Sequence, residues 1–167
     1  MVRVIIAGSR SFDDYEFMKE KLDAFFSKER DEIEIVSGHA DGVDKLGERY
    51  AAERGIPCKV FPADWEKYGK KAGPLRNSQM LEYAEERCPE VVAFWNGTSS
   101  GTFDTIKKAV KKDIECMVYL CIPANGYLNV EVCEHGAVSD HRHIDNAFVE
   151  AEMEYMCKLA ENGESLY

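Results

Sequence analysis

Near its start the chain reads Arg3-Val4-Ile5-Ile6-Ala7-Gly8-Ser9-Arg10, a β-branched, apolar run that stops at a glycine and a serine. Apolar residues then recur at helical spacing, at Tyr15, Met18, Leu22, Phe25 and Phe26. A short apolar run followed by a 3.6-residue period predicts a strand, a turn and an amphipathic helix. This is the first half of a βαβ unit.

The same order repeats as far as residue 122. Further strands are predicted at residues 33–36, 57–61, 91–95 and 116–122, with helices over 43–54, 74–87 and 103–110. Strands that are apolar on both faces and alternate with helices are typical of a parallel sheet covered on both sides. The sequence therefore predicts a three-layer α/β/α domain over residues 1–122, with a mostly parallel, five-stranded sheet.

Residues 123–167 form an acidic extension to this domain. From residue 111 onward the chain holds 4 basic and 11 acidic residues. A short strand is predicted at 127–133, followed by a polar turn and a last helix whose apolar face carries Ile144, Phe148, Ala151, Tyr155 and Leu159. Because such a face needs a partner surface, we expect the extension to pack on the core or on a second subunit, as in a homodimer.

Composition narrows the classes of protein to which the chain can belong. None of its 167 residues lies in an apolar run of the roughly 20 residues that a membrane-spanning helix needs. The net charge of −10 disfavours binding to nucleic acid or to an anionic membrane. Six scattered cysteines without a C-x-x-C pair indicate buried thiols in a reducing, cytoplasmic compartment. A small-molecule ligand is therefore the first expectation.

Three loops that follow predicted strands combine glycine with hydroxyl side chains. In open parallel sheets, ligands bind outside the carboxyl ends of the strands. Backbone N–H groups at the start of the following helices favour an anion there. The residues concerned are Gly8, Ser9, Ser37, Gly38, Gly97, Ser99, Gly101 and Thr102. Any one loop is also explained as an ordinary turn, but three together predict a phosphate site. Neither G-x-G-x-x-G nor a P-loop motif is present.

Five motifs, taken in order, resemble the SLOG superfamily, and within it the small bacterial and phage branch named after YspA and YpsA. They are Gly8-Ser9-Arg10, Ser37-Gly38-x-Ala40-x-Gly42-Val43-Asp44, Pro62-Ala63-Asp64-Trp65, Ala72-Gly73-Pro74-Leu75-Arg76-Asn77-x-x-Met80 and Phe94-Trp95-x-Gly97-x-Ser99-x-Gly101-Thr102. The resemblance covers about residues 2–122. It implies a Rossmann-like domain that binds a nucleotide or a nucleotide-derived ligand. Relatives include the LOG phosphoribohydrolases, the DNA-processing protein DprA and ligand-sensing domains of immune systems.

Two arginines are the cations expected against phosphate, because a guanidinium binds phosphate in bidentate fashion. Arg10 leaves the first strand, where a salt bridge to Asp13 or Asp14 is the competing interpretation. Arg76 begins a helix beside Asn77, matching the family's Arg-Asn pair. Its competing interpretation is a surface arginine beside nearby acids. Lys70 and Lys71 fall in a predicted flexible loop over the site, and we expect both side chains to be solvated rather than bound to a ligand.

Three further side chains near the loops, Asp44, Trp65 and His39, each admit two interpretations. Asp44 either holds a ribose hydroxyl or caps its helix. Trp65 either stacks on a base or packs over the sheet edge, whereas Trp95, inside an apolar strand, is expected in the core. His39 is a ligand contact or, as we favour, a bystander.

A hydrolase is the alternative to a binding protein or sensor. LOG enzymes carry Gly-Gly-x-Gly-Thr-x-x-Glu, and here the glutamate position is Thr105, with Asp104 one residue off and about 100° away on the helix. Binding without turnover is therefore favoured. If an N-glycosidic bond is cleaved, the expected catalytic residues are Arg76, Asp104 and Asp44. Binding of single-stranded DNA, as by DprA, is disfavoured by the acidic composition.

Donor atoms suited to a transition metal occur in the extension, at Cys133, His135, His141 and His143. Their spacing fits no standard zinc module. No metal or other cofactor is therefore expected to be required.

Overall fold

A computed structural model describes residues 1–27 and 32–121, and the backbone of residues 132–135. The strands are β1 (Val2–Gly8), β2 (Ile33–Ser37), β3 (Cys58–Val60), β4 (Cys88–Trp95), β5 (Glu115–Leu120) and β6 (Val132–His135). The helices are α1 (Tyr15–Phe26), α2 (Val43–Arg54), α3 (Trp65–Tyr68), α4 (Ala72–Glu85) and α5 (Ser100–Lys111), with a 3₁₀ turn at Gly69–Lys71. The predicted α/β class is confirmed.

The strands form one sheet in the order β3-β2-β1-β4-β5-β6. Strands β1 to β5 are parallel, whereas β6 is antiparallel to β5, with Cys116 opposite His135 and Tyr119 opposite Val132. The order reverses between β1 and β4, because β2 and β3 lie on one side of β1 and β4 and β5 on the other. In sheets of this kind the reversal is where a ligand crevice opens.

Alternating residues of the central strands supply two cores, one on each face of the sheet. Val4 and Ile6 pack with α1 and α2, through residues such as Met18, Leu22 and Val43. Ile5 and Ala7 pack with α4 and α5, through residues such as Met80, Leu81 and Ile106. All of these side chains are at most 5% exposed. Two buried faces account for the continuous apolar pattern of β1 and confirm the three-layer architecture.

Several sequence predictions are corrected by the structure. The flexible loop expected around Lys70 and Lys71 is wrong, because α3, the 3₁₀ turn and α4 follow one another without interruption. The strand expected at 127–133 is observed at Val132–His135, so residue 135 belongs to a strand and not to the polar turn. Residues 127–131 and the predicted last helix lie outside the described part of the chain.

The cysteines divide into exposed and buried thiols. Cys58 and Cys88 are exposed, so the expectation of burial is wrong for these two. Cys116 and Cys121 are buried, and burial raises the pKa of each thiol to about 12. All four are free thiols. Within residues 1–27 and 32–121, no helix combines the length and the apolar character required to span a bilayer.

Candidate functional site

The site lies where the strand order reverses, at the carboxyl ends of β1 and β4. The loops after these strands are tied together, since the Ser9 N–H donates to the Phe94 carbonyl (3.0 Å) and the Asn96 N–H donates to Ser9 Oγ (3.0 Å). Ser9 is only 2% exposed. One hydroxyl therefore fixes the relative position of two of the predicted binding loops.

Above these loops opens a cleft of about 700 Å³, within the usual size range of small-molecule sites. Most of the residues singled out from the sequence line it: Gly8, Ser9, Arg10, Asp44, Arg76, Asn77, Ser99, Gly101, Thr102 and Asp104. Gly38 lines an adjoining groove of about 280 Å³. Ser37 and Gly97 are part of the lining of neither the cleft nor the groove. The structure thus brings together ten of the thirteen predicted residues around one space.

The two residues outside the lining have structural surroundings instead. Ser37 is fully buried and its hydroxyl donates to Glu48 Oε1 at 2.6 Å. Gly97 has a φ of +80°, a left-handed turn conformation that favours glycine. The glycine and hydroxyl residues of these two loops predicted ligand contacts. The hydrogen bond of Ser37 and the backbone conformation of Gly97 explain both residues without a ligand.

The glycines of the site differ in how much space a side chain would have at each position. A Cβ on Gly8 would collide with the Phe94 carbonyl and the Val43 side chain, and one on Gly38 would collide with the Arg76 guanidinium. A Cβ on Gly101 would meet nothing within 4 Å. Neighbouring atoms therefore exclude a side chain at Gly8 and Gly38, whereas Gly101 faces open space.

Arg76 and Asp44 form a buried ion pair at the floor of the cleft. Arg76 Nη1 donates to Asp44 Oδ2 at 3.1 Å, and the two residues are 9% and 4% exposed. Asp44 also accepts from the Ala40 N–H at 3.2 Å, which holds the loop after β2. Burial raises the pKa of the Asp44 carboxyl, and the neighbouring Arg76 charge acts in the opposite direction. The N-cap of α2 is Gly42, so the capping role considered for Asp44 is wrong.

The hydrogen bonding of Arg76 is incomplete. Its Nε is buried and makes no hydrogen bond within the described part of the chain. Arg76 lines both the cleft and the adjoining groove. The competing interpretation, a surface arginine, is therefore wrong.

Asn77 and Asp104 join α4 to α5 across the cleft. Asn77 Nδ2 donates to Asp104 Oδ2 at 2.9 Å and to the Gly101 carbonyl at 3.2 Å. Lys108 Nζ donates to the same Asp104 oxygen at 2.7 Å. Asp104 and Thr105 both line the cleft. The one-residue offset from the LOG motif therefore leaves a carboxylate at the site, although it is one already held by an amide and an ammonium group.

The first turn of α5 is capped by the side chains of the loop that precedes it. Asn96 Oδ1 accepts from the Ser99 N–H at 2.8 Å, and Ser99 Oγ accepts from the Thr102 hydroxyl at 2.9 Å. Ser99 is the N-cap residue of this 12-residue helix. The open space at Gly101 therefore lies beside a well-formed helix N-terminus, which carries partial positive charge.

Arg10 and Trp65 stand at the mouth of the cleft. The Arg10 guanidinium lies 5.6 Å from the centroid of the Trp65 ring, and Trp65 is 50% exposed. The ring is thus available at the cleft rather than packed over the sheet. Trp95 is 4% exposed and stacks on Phe103, as expected for a core residue.

The charge of the lining differs from that of the whole chain. Arg10, Lys70 and Arg76 face two carboxylates, Asp44 and Asp104. Asp44 is paired with Arg76, and Asp104 with Lys108. In a chain with a net charge of −10, this cleft is a place where basic groups outnumber acidic ones.

Sequence reasoning missed Glu48 and Lys108, which hold site residues without lining the cleft themselves. Glu48 follows Asp44 by one helical turn, and Lys108 follows Asp104 by the same interval. For Lys108 the available signal was the i, i+4 spacing of opposite charges on one helix face. Glu48 contacts Ser37 and His39, which lie outside α2, so no helical spacing indicated its role.

No metal centre is formed by the residues that the structure describes, where no group of three or more His, Cys, Asp or Glu side chains is suitably placed. Of the candidate ligands, positions 133 and 135 lie on β6, opposite Val118 and Cys116. His141 and His143 lie outside the described residues.

Comparison with known proteins identifies the family of the chain. The family model described as YAcAr, the YspA and cpYpsA-related SLOG family, matches residues 2–68, from β1 to α3. Gene 61 protein of Mycobacterium phage D29 is 34% identical over 119 residues, which cover 68% of this chain and 93% of the phage protein. No solved structure was found to match the chain. The resemblance inferred from the five motifs is confirmed: the chain belongs to the YspA and cpYpsA-related SLOG family.

Proposed function

We propose that this protein binds a nucleotide or a nucleotide-derived ligand in the cleft, as a sensor or a ligand-processing protein. The phosphate lies between Arg76 and the first turn of α5. Family membership supports a nucleotide-related role, and the residues of the cleft supply the chemistry for it.

The observation that carries the proposal is the buried, incompletely bonded guanidinium of Arg76. A buried charged donor without an acceptor is costly, at about 1–3 kcal/mol or more. Asp44 occupies only one edge of the group, through Nη1. A phosphate oxygen in the cleft would add a charge-assisted hydrogen bond to the guanidinium of Arg76, which lines that space.

The N-terminus of α5 supplies the second half of the phosphate site. Ser99, Gly101 and Thr102 line the cleft, and the space above Gly101 is open. Backbone N–H groups and the helix dipole at such a terminus favour an anion. The arginine and the helix end thus approach one space from α4 and α5.

The experiment measures nucleotide binding by calorimetry and thermal shift with AMP, GMP, CMP and UMP. A ligand at about 100 times its Kd adds roughly 2.7 kcal/mol to the free energy of unfolding. Arg76→Lys keeps the pair with Asp44 but loses the planar fork, so we expect at least tenfold weaker binding.

Arg3→Lys is the matched control for this variant. Arg3 is also a buried arginine, 7% exposed, and its Nε donates to Glu34 at 2.8 Å near the opposite end of β1. We expect Arg3→Lys to bind nucleotide as the wild type does. Absence of binding by every nucleotide, or equal affinities of wild type and Arg76→Lys, would contradict the proposal.

Cleavage of an N-glycosidic bond is the second candidate, because Asp44 and Asp104 line the same cleft. A carboxylate near the anomeric carbon would stabilise an oxocarbenium-like transition state. Chromatography of a nucleoside monophosphate after incubation distinguishes the two functions. Release of free base, lost in Asp104→Asn, would favour the hydrolase, whereas intact nucleotide favours binding alone.

A further inference from the structure

We propose that the pairing of β5 with β6 assembles a site for a transition-metal ion such as Zn²⁺, with Cys116, Cys133 and His135 as its protein ligands. An ion at this place would fasten the acidic extension to the edge of the sheet. The site is separate from the nucleotide cleft, which lies at the reversal between β1 and β4.

The register of the two strands places the three residues on one face of the sheet. Cys116 lies directly opposite His135, and Val118 lies directly opposite Cys133. Positions two residues apart along a strand share a face. Directly opposite positions on neighbouring strands share a face as well. Cys116, Cys133 and His135 therefore occupy adjacent positions on the same face.

The distances between these positions suit ligands of a single ion. Cβ atoms of directly opposite residues, as at Cys116 and His135, are about 4.5–5.5 Å apart. Two residues along β6 span roughly 6.6 Å. Diagonal neighbours, as at Cys116 and Cys133, are about 7–8 Å apart. A disulfide is disfavoured at that diagonal, because Cα atoms more than about 7 Å apart are not bridged without backbone movement.

Among the cysteines of the described residues 1–27 and 32–121, Cys116 is the one that lies opposite a residue able to bind a metal. Cys58 and Cys88 lie opposite aliphatic residues, on β2 and β1 respectively. Cys121 packs in the core on the other face of the sheet. The pairing with His135 is therefore particular to Cys116.

The residue types on β6 depart from the pattern that its neighbour sets on this face. On β5 the face carries Cys116 and Val118, each 4% exposed, in the core formed with α5. A strand that only extended this core would carry apolar residues at the matching positions. Instead β6 carries Cys133 and His135 there. A metal centre accounts for both residue types.

Thiolate and imidazole groups are the donors that zinc and related ions prefer. Three protein ligands are enough to hold zinc when water takes the fourth position. Spacing along the chain fits no standard zinc module, because one donor comes from a different strand. Pairing of β5 with β6 supplies Cys116 as that third donor.

The experiment is a titration of the full chain, stripped of metal with a chelator, with Co²⁺ as a spectroscopic substitute for Zn²⁺. Cobalt bound to thiolate shows charge-transfer absorption in the near ultraviolet. We expect one Co²⁺ per chain with this absorption, and its displacement by Zn²⁺. Zn²⁺ should also raise the melting temperature, because it binds the folded chain. Loss of groups that merely support metal ligands costs about 10–100-fold in affinity, so Cys133→Ser and His135→Ala should each weaken binding at least roughly tenfold.

Cys58→Ser is the matched control, because it removes an exposed thiol from β3 at the other edge of the sheet. It should leave the affinity and the spectrum unchanged. Cys133→His keeps a ligand at its position, so it should retain tighter binding than Cys133→Ser, with weaker charge-transfer absorption. This variant separates the loss of a ligand from a disturbed fold.

Three results would overturn the metal site. They are a wild-type protein without thiolate charge transfer, wild-type affinity in Cys133→Ser or His135→Ala, and a loss in Cys58→Ser as large as in Cys133→Ser. None of them bears on the proposed nucleotide function, which is measured separately.

Discussion

Two buried arginines differ in how completely their surroundings satisfy their hydrogen-bonding groups. Arg3 has Glu34 and Glu86 as partners, donates to the Tyr83 carbonyl, and lies 3.6 Å from the centroid of the Tyr83 ring. Arg76 has one carboxylate and a donor without a partner. Since both residues are arginines of similar burial, only their contacts distinguish them.

The Arg76–Asp44 ion pair should stabilise the fold only while both of its side chains are present. Its side chains are 10% and 6% exposed, so either one left alone is a buried, uncompensated charge. We expect Arg76→Met and Asp44→Leu each to lower the free energy of unfolding by about 3–5 kcal/mol. The double variant should recover much of that loss, because both charges are gone.

Urea unfolding of the four proteins in this cycle measures the coupling. The double variant should also fail to bind nucleotide, which separates stability from function. Losses that simply add in the double variant would show that the two side chains do not stabilise each other.

Elements with their own local signal were predictable from the sequence, and contacts between distant residues were not. The run before Gly8 and the helical spacing from Tyr15 are local patterns, and β1 and α1 follow them. The four-residue α3 is too short for a period. Its signal was Asp64, whose side chain accepts from the Lys67 N–H. Arg76 and Asp44 stand 32 residues apart, so no local pattern could pair them.

The same restriction to local patterns explains why the sequence did not distinguish the roles of residues in the glycine-rich loops. Composition marked Ser37, Gly38 and Gly101 alike, because each follows a strand. Their roles diverge only in three dimensions: Ser37 faces Glu48, Gly38 faces Arg76, and Gly101 faces open space.

Gly8 lies at the end of β1 and Gly101 in the first turn of α5. Substitution by alanine should therefore have opposite effects on stability at the two positions. Gly8→Ala forces a methyl group into the Phe94 carbonyl and Val43, and we expect it to destabilise the fold by several kcal/mol, as overpacking does at about 1–3 kcal/mol or more. Gly101→Ala should be neutral or stabilising by up to about 1 kcal/mol, because alanine favours helix.

Nucleotide binding should distinguish Gly101→Ala from the wild type even though the variant is stable. Gly101→Ala places its methyl group where we locate the phosphate, so it should bind nucleotide at least tenfold more weakly despite its stability. Melting temperature and calorimetry on the same samples provide both readouts. Wild-type affinity in a stable Gly101→Ala protein would move the phosphate away from the N-terminus of α5.

On the scale of the whole molecule, the sheet continues past the α/β/α domain into the acidic extension. Strand β6 covers the edge of β5 that would otherwise present unpaired N–H and C=O groups. The cleft lies at the reversal between β1 and β4, two strands away from that edge. Extension and site are thus separate parts of one sheet.

The apolar helix face predicted for residues 144–159 provides the last test. A chain ending at residue 143 keeps β6 and so keeps the β5 edge paired. It loses Ile144, Phe148, Tyr155 and Leu159, and each large apolar side chain contributes about 1.5–3 kcal/mol when fully buried. We therefore expect a lower melting temperature if the segment packs on its own core, or a smaller mass by light scattering if it packs on a second subunit. Nucleotide affinity per folded chain should persist, because none of the described residues that line the cleft is removed. A truncated protein with the same number of subunits by light scattering and the same melting temperature as the full chain would mean that this face packs on neither.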